Sequence, residues 1–570
     1  MISVEQIVAT QLPKIQAGNP LVKNSLIRFL KYLFHEREFT QFEKSYPHLK
    51  GIDFVEQVLE YFEFGYLVND REKYNIPDQG GIVAIANHPI GSLDGLALLK
   101  LFAGIRQDVK VVANELLWAI KPLRPQLLPV NNMNGKTPKE NMKAIEAHIN
   151  QGGALLIFPA GEVSRLSPKG VMDGKWRNGF LRFARKAKVP IVPMHIDGKN
   201  SLFFYALSLF AKPISTLWLI DEMFKQAKRD IRIRIGNPIS FEDYQNVDVE
   251  DERLIRLFKK HIYTLPKKKP SLLFKPAFES VAHSENRKTL KQELQQCQLL
   301  GHTNDGKQIF CYQHQKDSAI MREIGRLREF TFRAVGEGTG QRRDIDKYDN
   351  YYDHIILWDN EQFELVGSYR MVPIARVDAS QTDSDLYCDT LFDLSRLPKH
   401  VRQQGLELGR SFVQPAYWGK RSLDYLWQGI GAYLNQHSEI RYLLGAVSIS
   451  NDLNKEAKVS LVRFYQTYFG ATQPLVTASR PYQFSEQDGL MFHGQDYQTE
   501  FQQLKTKLKN EGASVPTLYK QYSELCEMGG TQFCAFNVDP DFCDCIDGFV
   551  VVDMTKLKPN KKQRYLGIHD

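Results

Sequence analysis

The stretch Gly81-Ile-Val-Ala-Ile-Ala-Asn-His-Pro-Ile-Gly-Ser-Leu-Asp-Gly95 decides how the first half of this 570-residue chain reads. Its apolar run up to Ala86 is short and continuous, as expected of a strand buried on both faces. The strand runs into a Pro-Gly loop that carries His88 and, six positions on, Asp94. A histidine leaving a buried strand, with an aspartate one loop away, suits a general base and its orienter. Asp94 would fix the imidazole tautomer and stabilise the imidazolium, leaving the other ring nitrogen to take a hydroxyl proton. On spacing alone, a surface loop in which Asp94 caps a helix fits as well.

Outward from this stretch, strand and helix signals alternate. Val109–Ala113, Ala154–Phe158, Ile191–Ile196 and Ile231–Ile235 read as further strands. Thr137-Pro-Lys-Glu140 reads as a capping box with proline in the first turn, and Met142, Ile145 and Ile149 give the apolar face of the helix it starts. Strands separated by helices predict an α/β domain with a largely parallel sheet, whose chemistry sits where strands end and loops begin.

Charge divides the chain. Residues 1–275 hold 40 basic and 28 acidic side chains, a net of +12, and the rest carry a net of −4. The break falls near Leu265-Pro-Lys-Lys-Lys-Pro-Ser-Leu-Leu-Phe-Lys-Pro276, a proline-flanked lysine run that reads as a linker and could meet anionic headgroups. The seven cysteines are few, odd in number and confined to the second half, which predicts a reducing compartment and no disulfide scaffold. No secretory leader and no apolar run of spanning length is expected. Leu202–Ile220 comes nearest, but Lys212 and Pro213 cut it, so it reads as core or interfacial contact. No nucleic-acid-binding motif accompanies the basic charge, so nucleic acid is not expected as a partner.

Two later segments sharpen the reading of His88 and Asp94. Phe158-Pro-Ala-Gly-Glu-Val-Ser-Arg165 follows a strand, and Val189-Pro-Ile-Val-Pro193 leads the next. This order and spacing resembles the lysophospholipid and glycerol-phosphate acyltransferase family, with Asn114-Glu-Leu-Leu117 through Pro129-Val-Asn131 as its loosest counterpart. The resemblance implies that His88 and Asp94 are catalytic and that Gly161, Glu162, Ser164 and Arg165 bind the acyl acceptor. His88 would deprotonate an acceptor hydroxyl for direct attack on an acyl thioester, with no enzyme-bound acyl intermediate. Two departures stand out: five residues rather than four separate His88 from Asp94, and Ala160 occupies the usual glutamate position. The second implies an acceptor other than plain glycerol phosphate.

In the second half, Ile320, Ile324, Leu327 and Phe330 fall at helical spacing, and Asp353–Trp358 and Glu364–Val372 read as a hairpin. Arg328-Glu-Phe-Thr-Phe332, Asp346-Lys-Tyr-Asp349, Gly367-Ser-Tyr-Arg370 and Glu407-Leu-Gly-Arg410 form an ordered series. It resembles the acyl-homoserine-lactone synthases and, more closely, the ornithine N-acyltransferases often labelled hemolysin-like. So do Arg410-Ser-Phe-Val-Gln-Pro415, Leu426-Trp-Gln-Gly-Ile-Gly-Ala-Tyr433, Pro516-Thr-Leu-Tyr-Lys520, Asp541, Phe542 and Asp547. The resemblance implies a GNAT-like mixed sheet that splays to admit a pantetheine. Arg402-Gln-Gln-Gly405 begins a pyrophosphate loop but Glu407 ends it, which favours acyl carrier protein over coenzyme A as donor. The chemistry of an amino acid acceptor assigns Glu407 as base, Asp346 and Asp349 as holders of ammonium groups, and Arg328, Arg370 and Arg410 to the carboxylate or the thioester. His354 reads as a strand-face histidine, and Cys534, Cys543 and Cys545 lack the spacing of a metal site, so no metal and no resident cofactor is expected.

Together the halves resemble the bifunctional ornithine lipid synthases. The expected plan is a helical extension over 1–74, an O-acyltransferase domain over 75–262, a linker over 263–300 and a GNAT-like N-acyltransferase domain over 301–570. The second domain would join a 3-hydroxyacyl chain to ornithine, giving lyso-ornithine lipid, and the first would esterify its 3-hydroxyl. The membrane surface, at the cytoplasmic face of a bacterial inner membrane, and acyl carrier protein are the implied partners. Glycine, lysine or glutamine could replace ornithine in the same two reactions. A lysophosphatidate acyltransferase with an inert second domain, and a membrane-lytic or scaffold protein, are the rival readings.

Overall fold

The computed structural model describes residues 20–567 apart from 131–136, 168–169, 211–214, 216–217, 248, 268–272, 275–277 and 381–384. Lys212, Pro213, Asn131 and most of the lysine run therefore lie outside the described residues. The chain forms two compact units, Met1–Ser280 and Val281–Asp570.

The first unit opens with helices α1 (Pro20–Leu33), α2 (Glu36–Ser45) and α3 (Gly51–Tyr61). Its strands are β1 (Gly65–Val68), β2 (Ile82–Ala86), β3 (Val109–Asn114), β4 (Leu127–Val130), β5 (Ala154–Ile157), β6 (Arg165–Ser167), β7 (Gly170–Met172), β8 (Ile191–Asp197) and β9 (Asp230–Ile235). Seven of them form one sheet in the order β1-β9-β8-β2-β5-β3-β4. Every neighbouring pair in it is parallel except β8 and β9. The remaining two, β6 and β7, make a small hairpin.

Helices α4 (Ser92–Ala103), α5 (Lys139–Asn150), α6 (Gly179–Ala187) and α7 (Leu202–Phe210) follow strands of the sheet. Because side chains alternate along a strand, Ile82, Ala84 and Ala86 join the core that holds Phe54, Leu98 and Phe102. Val83 and Ile85 join the opposite core of Ile145, Phe180 and Phe258. Burial on both faces is what makes β2 read as an unbroken apolar run. The α/β expectation holds, with two differences of detail. Gly65–Val68 lies inside the span expected to be a helical extension, yet it is an edge strand of the sheet, paired with β9. Helix α5 begins at Lys139 with Pro138 in the N-cap position, one residue later than the Thr137 cap implied.

The second unit carries helix α8 (Arg287–Leu294), β10 (Gln298–His302), β11 (Gln308–Gln313), α9 (Ala319–Arg333), β12 (Asp353–Asp359), β13 (Glu364–Pro373), β14 (Phe392–Asp393) and β15 (Gly405–Val413). Helix α10 (Ser422–Gln436), β16 (Tyr442–Ile449), β17 (Thr477–Ala478), β18 (Thr531–Asp539) and β19 (Cys545–Asp553) follow. Helix α8 and β10 occupy residues expected in a linker, so the connection is shorter than 263–300.

The large sheet runs β10-β11-β12-β13-β15-β16-β19-β18. All its pairs are antiparallel except β15 with β16, whose ladder covers only Gly405, Leu406 and Glu407 before it ends. Helix α9 covers one face through Ile324 and Leu327, against Ile356 and Trp358. Helix α10 covers the other through Trp427 and Ile430, against Ile355 and Leu357. This is the mixed sheet with an interrupted centre that the sequence led us to expect.

Candidate functional site

In the first unit, β2 delivers His88 and α4 delivers Asp94 in its first turn. Gly91 takes φ 123° at the turn between them, a conformation that a side chain would strain. The loop thereby absorbs the extra residue between the two. His88 Nδ1 lies 2.9 Å from Asp94 Oδ1, and the Asp94 side chain is fully buried. Its other oxygen accepts from the N–H groups of Ile90 (2.9 Å) and Gly91 (3.3 Å). Burial alone would lower the pKa of His88, but Asp94 and then Asp173 outweigh it and hold the imidazole above its ordinary value. The ring stacks on Phe158 with centroids 4.1 Å apart.

The turn after β5 lies against this loop. Ser164 N–H donates to the His88 carbonyl at 2.8 Å. Gly161 adopts φ 66° and is exposed, with Glu162 half-buried beside it. Arg165 donates to Ser215 Oγ at 2.6 Å and lies 5.0 Å from the Phe204 ring. Of the expected acceptor residues, Ser164 thus belongs to the histidine loop, and Arg165 points to α7. Sequence reasoning missed Asp173. Its carboxylate accepts from Ser164 Oγ (2.5 Å), Trp176 Nε1 (2.9 Å) and His88 N–H (3.2 Å), so it ties both loops together. Asn200 was missed as well: its Nδ2 donates to the carbonyls of Ile90 (3.1 Å) and Pro89 (3.3 Å). Neither sits in a motif, since the bonds of each to the histidine loop span more than eighty residues of chain.

In the second unit, Arg328 from α9 and Arg370 from β13 meet at Asp349. Arg328 Nη1 donates to Asp349 Oδ1 at 2.8 Å and Arg370 Nη1 at 3.2 Å, while His354 Nε2 lies 3.1 Å away. Asp349 Oδ2 accepts from the Asp346 N–H at 3.0 Å. Burial would raise the Asp349 pKa, but the two guanidinium groups hold it well below the usual carboxylate range. Asp349 thus orders the two arginines through Oδ1, while its Oδ2 accepts one backbone N–H. Asp346 gives Oδ1 to Arg370 Nη1 at 2.5 Å. Burial lowers the pKa of His354.

Arg410 lies at a bulge where β15 leaves register with β13, with φ 47°. Its Nε is 3.5 Å from Asp344 Oδ2, and its Nη2 is 3.7 Å from Asp346 Oδ2. Tyr387 lies 4.9 Å from the Arg410 guanidinium and 5.3 Å from that of Arg370. Glu407 sits behind this layer. Its Oε2 accepts from Tyr352 OH (2.8 Å) and its Oε1 from the Cys388 N–H (2.9 Å). Burial raises its pKa. Tyr352 OH in turn accepts from the Tyr387 N–H at 2.9 Å. Each Glu407 oxygen accepts one hydrogen bond inside the protein, and through the Cys388 N–H it anchors the segment that carries Tyr387. Among the described residues, no group of His, Cys, Asp and Glu is arranged to hold a metal ion.

Comparisons with known proteins follow the same division. Residues 8–270 match the family model described as acyltransferase, and residues 327–428 match the acetyltransferase (GNAT) domain. A lyso-glycine lipid O-acyltransferase of Bacteroides thetaiotaomicron is 32% identical over 252 residues, spanning 43% of this chain and 90% of the relative. A glycine N(alpha)-acyltransferase of the same organism is 28% identical over 307 residues, spanning 50% of this chain and 90% of the relative. An L-ornithine N(alpha)-acyltransferase of Brucella abortus is 33% identical over 140 residues, spanning 22% of this chain and 48% of the relative.

Proposed function

From the premise that the chain belongs to the acyltransferase family through its first unit and carries a GNAT domain in its second, we propose that this enzyme of aminolipid synthesis performs two acyl transfers in sequence. The second unit N-acylates ornithine with a 3-hydroxyacyl group, and the first O-acylates the resulting 3-hydroxyl. The observation that carries the reading is the His88–Asp94 pair, 2.9 Å apart with Asp94 sealed from solvent. His88 takes the hydroxyl proton as the oxygen attacks the thioester carbonyl. The imidazolium, held by Asp94, returns the proton to the departing thiolate.

Acyl carrier protein is the proposed donor. Arg402, the start of the interrupted pyrophosphate loop, is engaged by Asp378 at 2.7 and 2.8 Å. A net charge of +12 over residues 1–275 suits an acidic carrier. Binding to the cytoplasmic membrane surface is proposed on exposed apolar side chains near the first site. Leu202 and Phe203 project from α7 at 87% and 53% exposure, and Tyr32 from α1 at 81%. Trp218 packs on Phe203 and against the α1 cluster of Leu30 and Leu33. No described helix is long and apolar enough to cross a membrane. A second reading keeps both reactions and makes glycine the acceptor, because two relatives, each covered to 90%, are a lyso-glycine lipid O-acyltransferase and a glycine N(alpha)-acyltransferase.

Mass spectrometry of lipids from a host without aminolipids, expressing this chain, tests the proposal. A diacylated ornithine ion is expected. His88→Ala should accumulate the mono-acylated lipid, and Glu407→Ala should lose both products while still O-acylating supplied lyso-lipid. Loss of the mono-acylated lipid in His88→Ala would reverse the domain assignment, and a host lipid profile unchanged by the active protein would overturn it.

A further inference from the structure

Beyond the arginines, the second unit holds a group of buried acids that the mechanism above leaves unused. Ser448 on β16 is opposite Asp547 on β19, and Asp539 on β18 is opposite Cys545. Cross-strand partners share a face, as do residues two apart on one strand. Ser448, Asp547 and Asp539 therefore share one face of the sheet. Cys545, also on that face, packs with Phe332 of α9. Glu337 follows α9 and closes over the same face, its Oε2 accepting from Ser448 Oγ at 3.0 Å. All three acids are at most 8% exposed. Asp547 has a thiol, Cys545 Sγ at 3.9 Å, as the hydrogen-bond partner of its carboxylate among the described contacts.

An independent feature adjoins the acids. Arg370 is 1% exposed, and its Nη2 has no hydrogen-bond partner; Arg410 Nε is likewise without one. Tyr387 links the two ends, with its ring beside both guanidiniums and its hydroxyl donating to Asp539 Oδ2 at 3.4 Å. One end of the face thus offers guanidinium N–H groups without a hydrogen-bond partner, and the other offers carboxylates with no ion pair among the described contacts. Burial pushes Glu337 up to about 7, and burial together with Asp539 and Glu337 outweighs Arg410 and holds Asp547 well above its usual range.

We propose that Glu337 and Asp547 form the subsite for the side-chain ammonium of a diamino acid, with its α-carboxylate on Arg370 and Arg410. The inference rests on the N-acyltransferase reading of this unit and names its acceptor as ornithine or lysine. A neutral side chain would leave buried carboxylates uncompensated, which opposes its binding.

The test is N-acylation by the full chain, with a 3-hydroxyacyl-carrier-protein donor, of ornithine and of norvaline, which keeps the carbon chain and lacks the terminal ammonium. The expected wild-type preference for ornithine in kcat/KM is about 100-fold or more. Glu337→Gln and Asp547→Asn should each raise the ornithine KM about 10-fold or more, collapsing the ornithine-to-norvaline ratio. Glu337→Asp should recover part of it. If Glu337→Gln does not fold, Ser448→Ala, which only unties the carboxyl, is read by the same ratio. Equal use of norvaline by the wild type, or equal loss of both substrates in the variants, overturns the subsite. A wild type that acylates glycine but not ornithine overturns the subsite and leaves the acyl transfer standing. Failure with every amino acid overturns the N-acyltransferase reading itself.

Discussion

His88 is held between two opposing influences: burial, which favours its neutral form, and the carboxylates of Asp94 and Asp173, which favour the cation and prevail. Only the neutral ring can accept a proton. The rate of O-acyl transfer should therefore rise with pH along a limb whose midpoint lies above the ordinary histidine value of about 6.5. Asp94→Asn removes the larger of the opposing charges, so the limb should move to lower pH while the plateau falls by about 100- to 10,000-fold. A kcat/KM profile between pH 5 and 9 on supplied lyso-lipid reads both, and an unmoved limb would remove Asp94 as the partner. The linked stability has a definite sign. A pKa raised on folding contributes stability fully below the unfolded value and loses it as pH rises through the folded one. The His88 contribution is therefore present in mild acid and absent in base.

At the scale of the element, helix α9 shows how one side chain outside a helix secures its start. Glu293 on α8 accepts from Ser318 Oγ (2.7 Å) and from the N–H groups of Ala319 (2.9 Å) and Ile320 (3.0 Å). These donors have no partner within the helix, and a carboxylate there also meets the positive end of the helix dipole. Burial would raise the Glu293 pKa, but those hydrogen bonds outweigh it and lower it. Glu293→Gln should destabilise the second unit by about 1–2 kcal/mol. The deficit should be largest above the unfolded carboxylate pKa and shrink as pH falls through the lower folded value. Urea unfolding of the second unit at pH 7 and pH 3 measures the difference, and a pH-independent deficit would remove the charge from the account. Since α9 carries Arg328, the cap also bears on the arginine layer.

For the whole molecule, the proposed sequence of reactions makes the product of one unit the substrate of the other. Its first product is an amphiphile that stays at a membrane, so membrane contact matters more to the first unit than to the second. Leu202→Ser with Phe203→Ser should reduce co-sedimentation with anionic vesicles by about 10-fold and leave N-acylation of the soluble amino acid unchanged. Undiminished vesicle binding would separate the apolar patch from membrane contact. A shared chain also keeps the second site near the intermediate, a gain in effective concentration that requires no new contact.

Much of this was legible in the residues. The apolar run of β2 marked a strand buried on both faces, because burial on both sides removes the polar alternation that one wet face imposes. The order of His88, Phe158-Pro and Val189-Pro placed three strand ends in one domain, and the spacing of Ile320, Ile324 and Leu327 marked α9. The series Arg328, Asp349, Arg370 and Arg410 was recognisable as a set, and the fold brings those residues within one network. What those groups do for one another was decided only by tertiary structure. Asp349 binds two arginines and a backbone N–H, Glu407 accepts from Tyr352 and Cys388, and Asp173 reaches back across 85 residues to the His88 N–H. Glu337, Asp539 and Asp547 share a face only through the register of β16, β18 and β19. Periodicity and local motifs are properties of neighbours along the chain, so sequence carries them. Which oxygen stays free is set by hydrogen bonds between residues far apart in that chain, and these exist only once the sheet has closed its register.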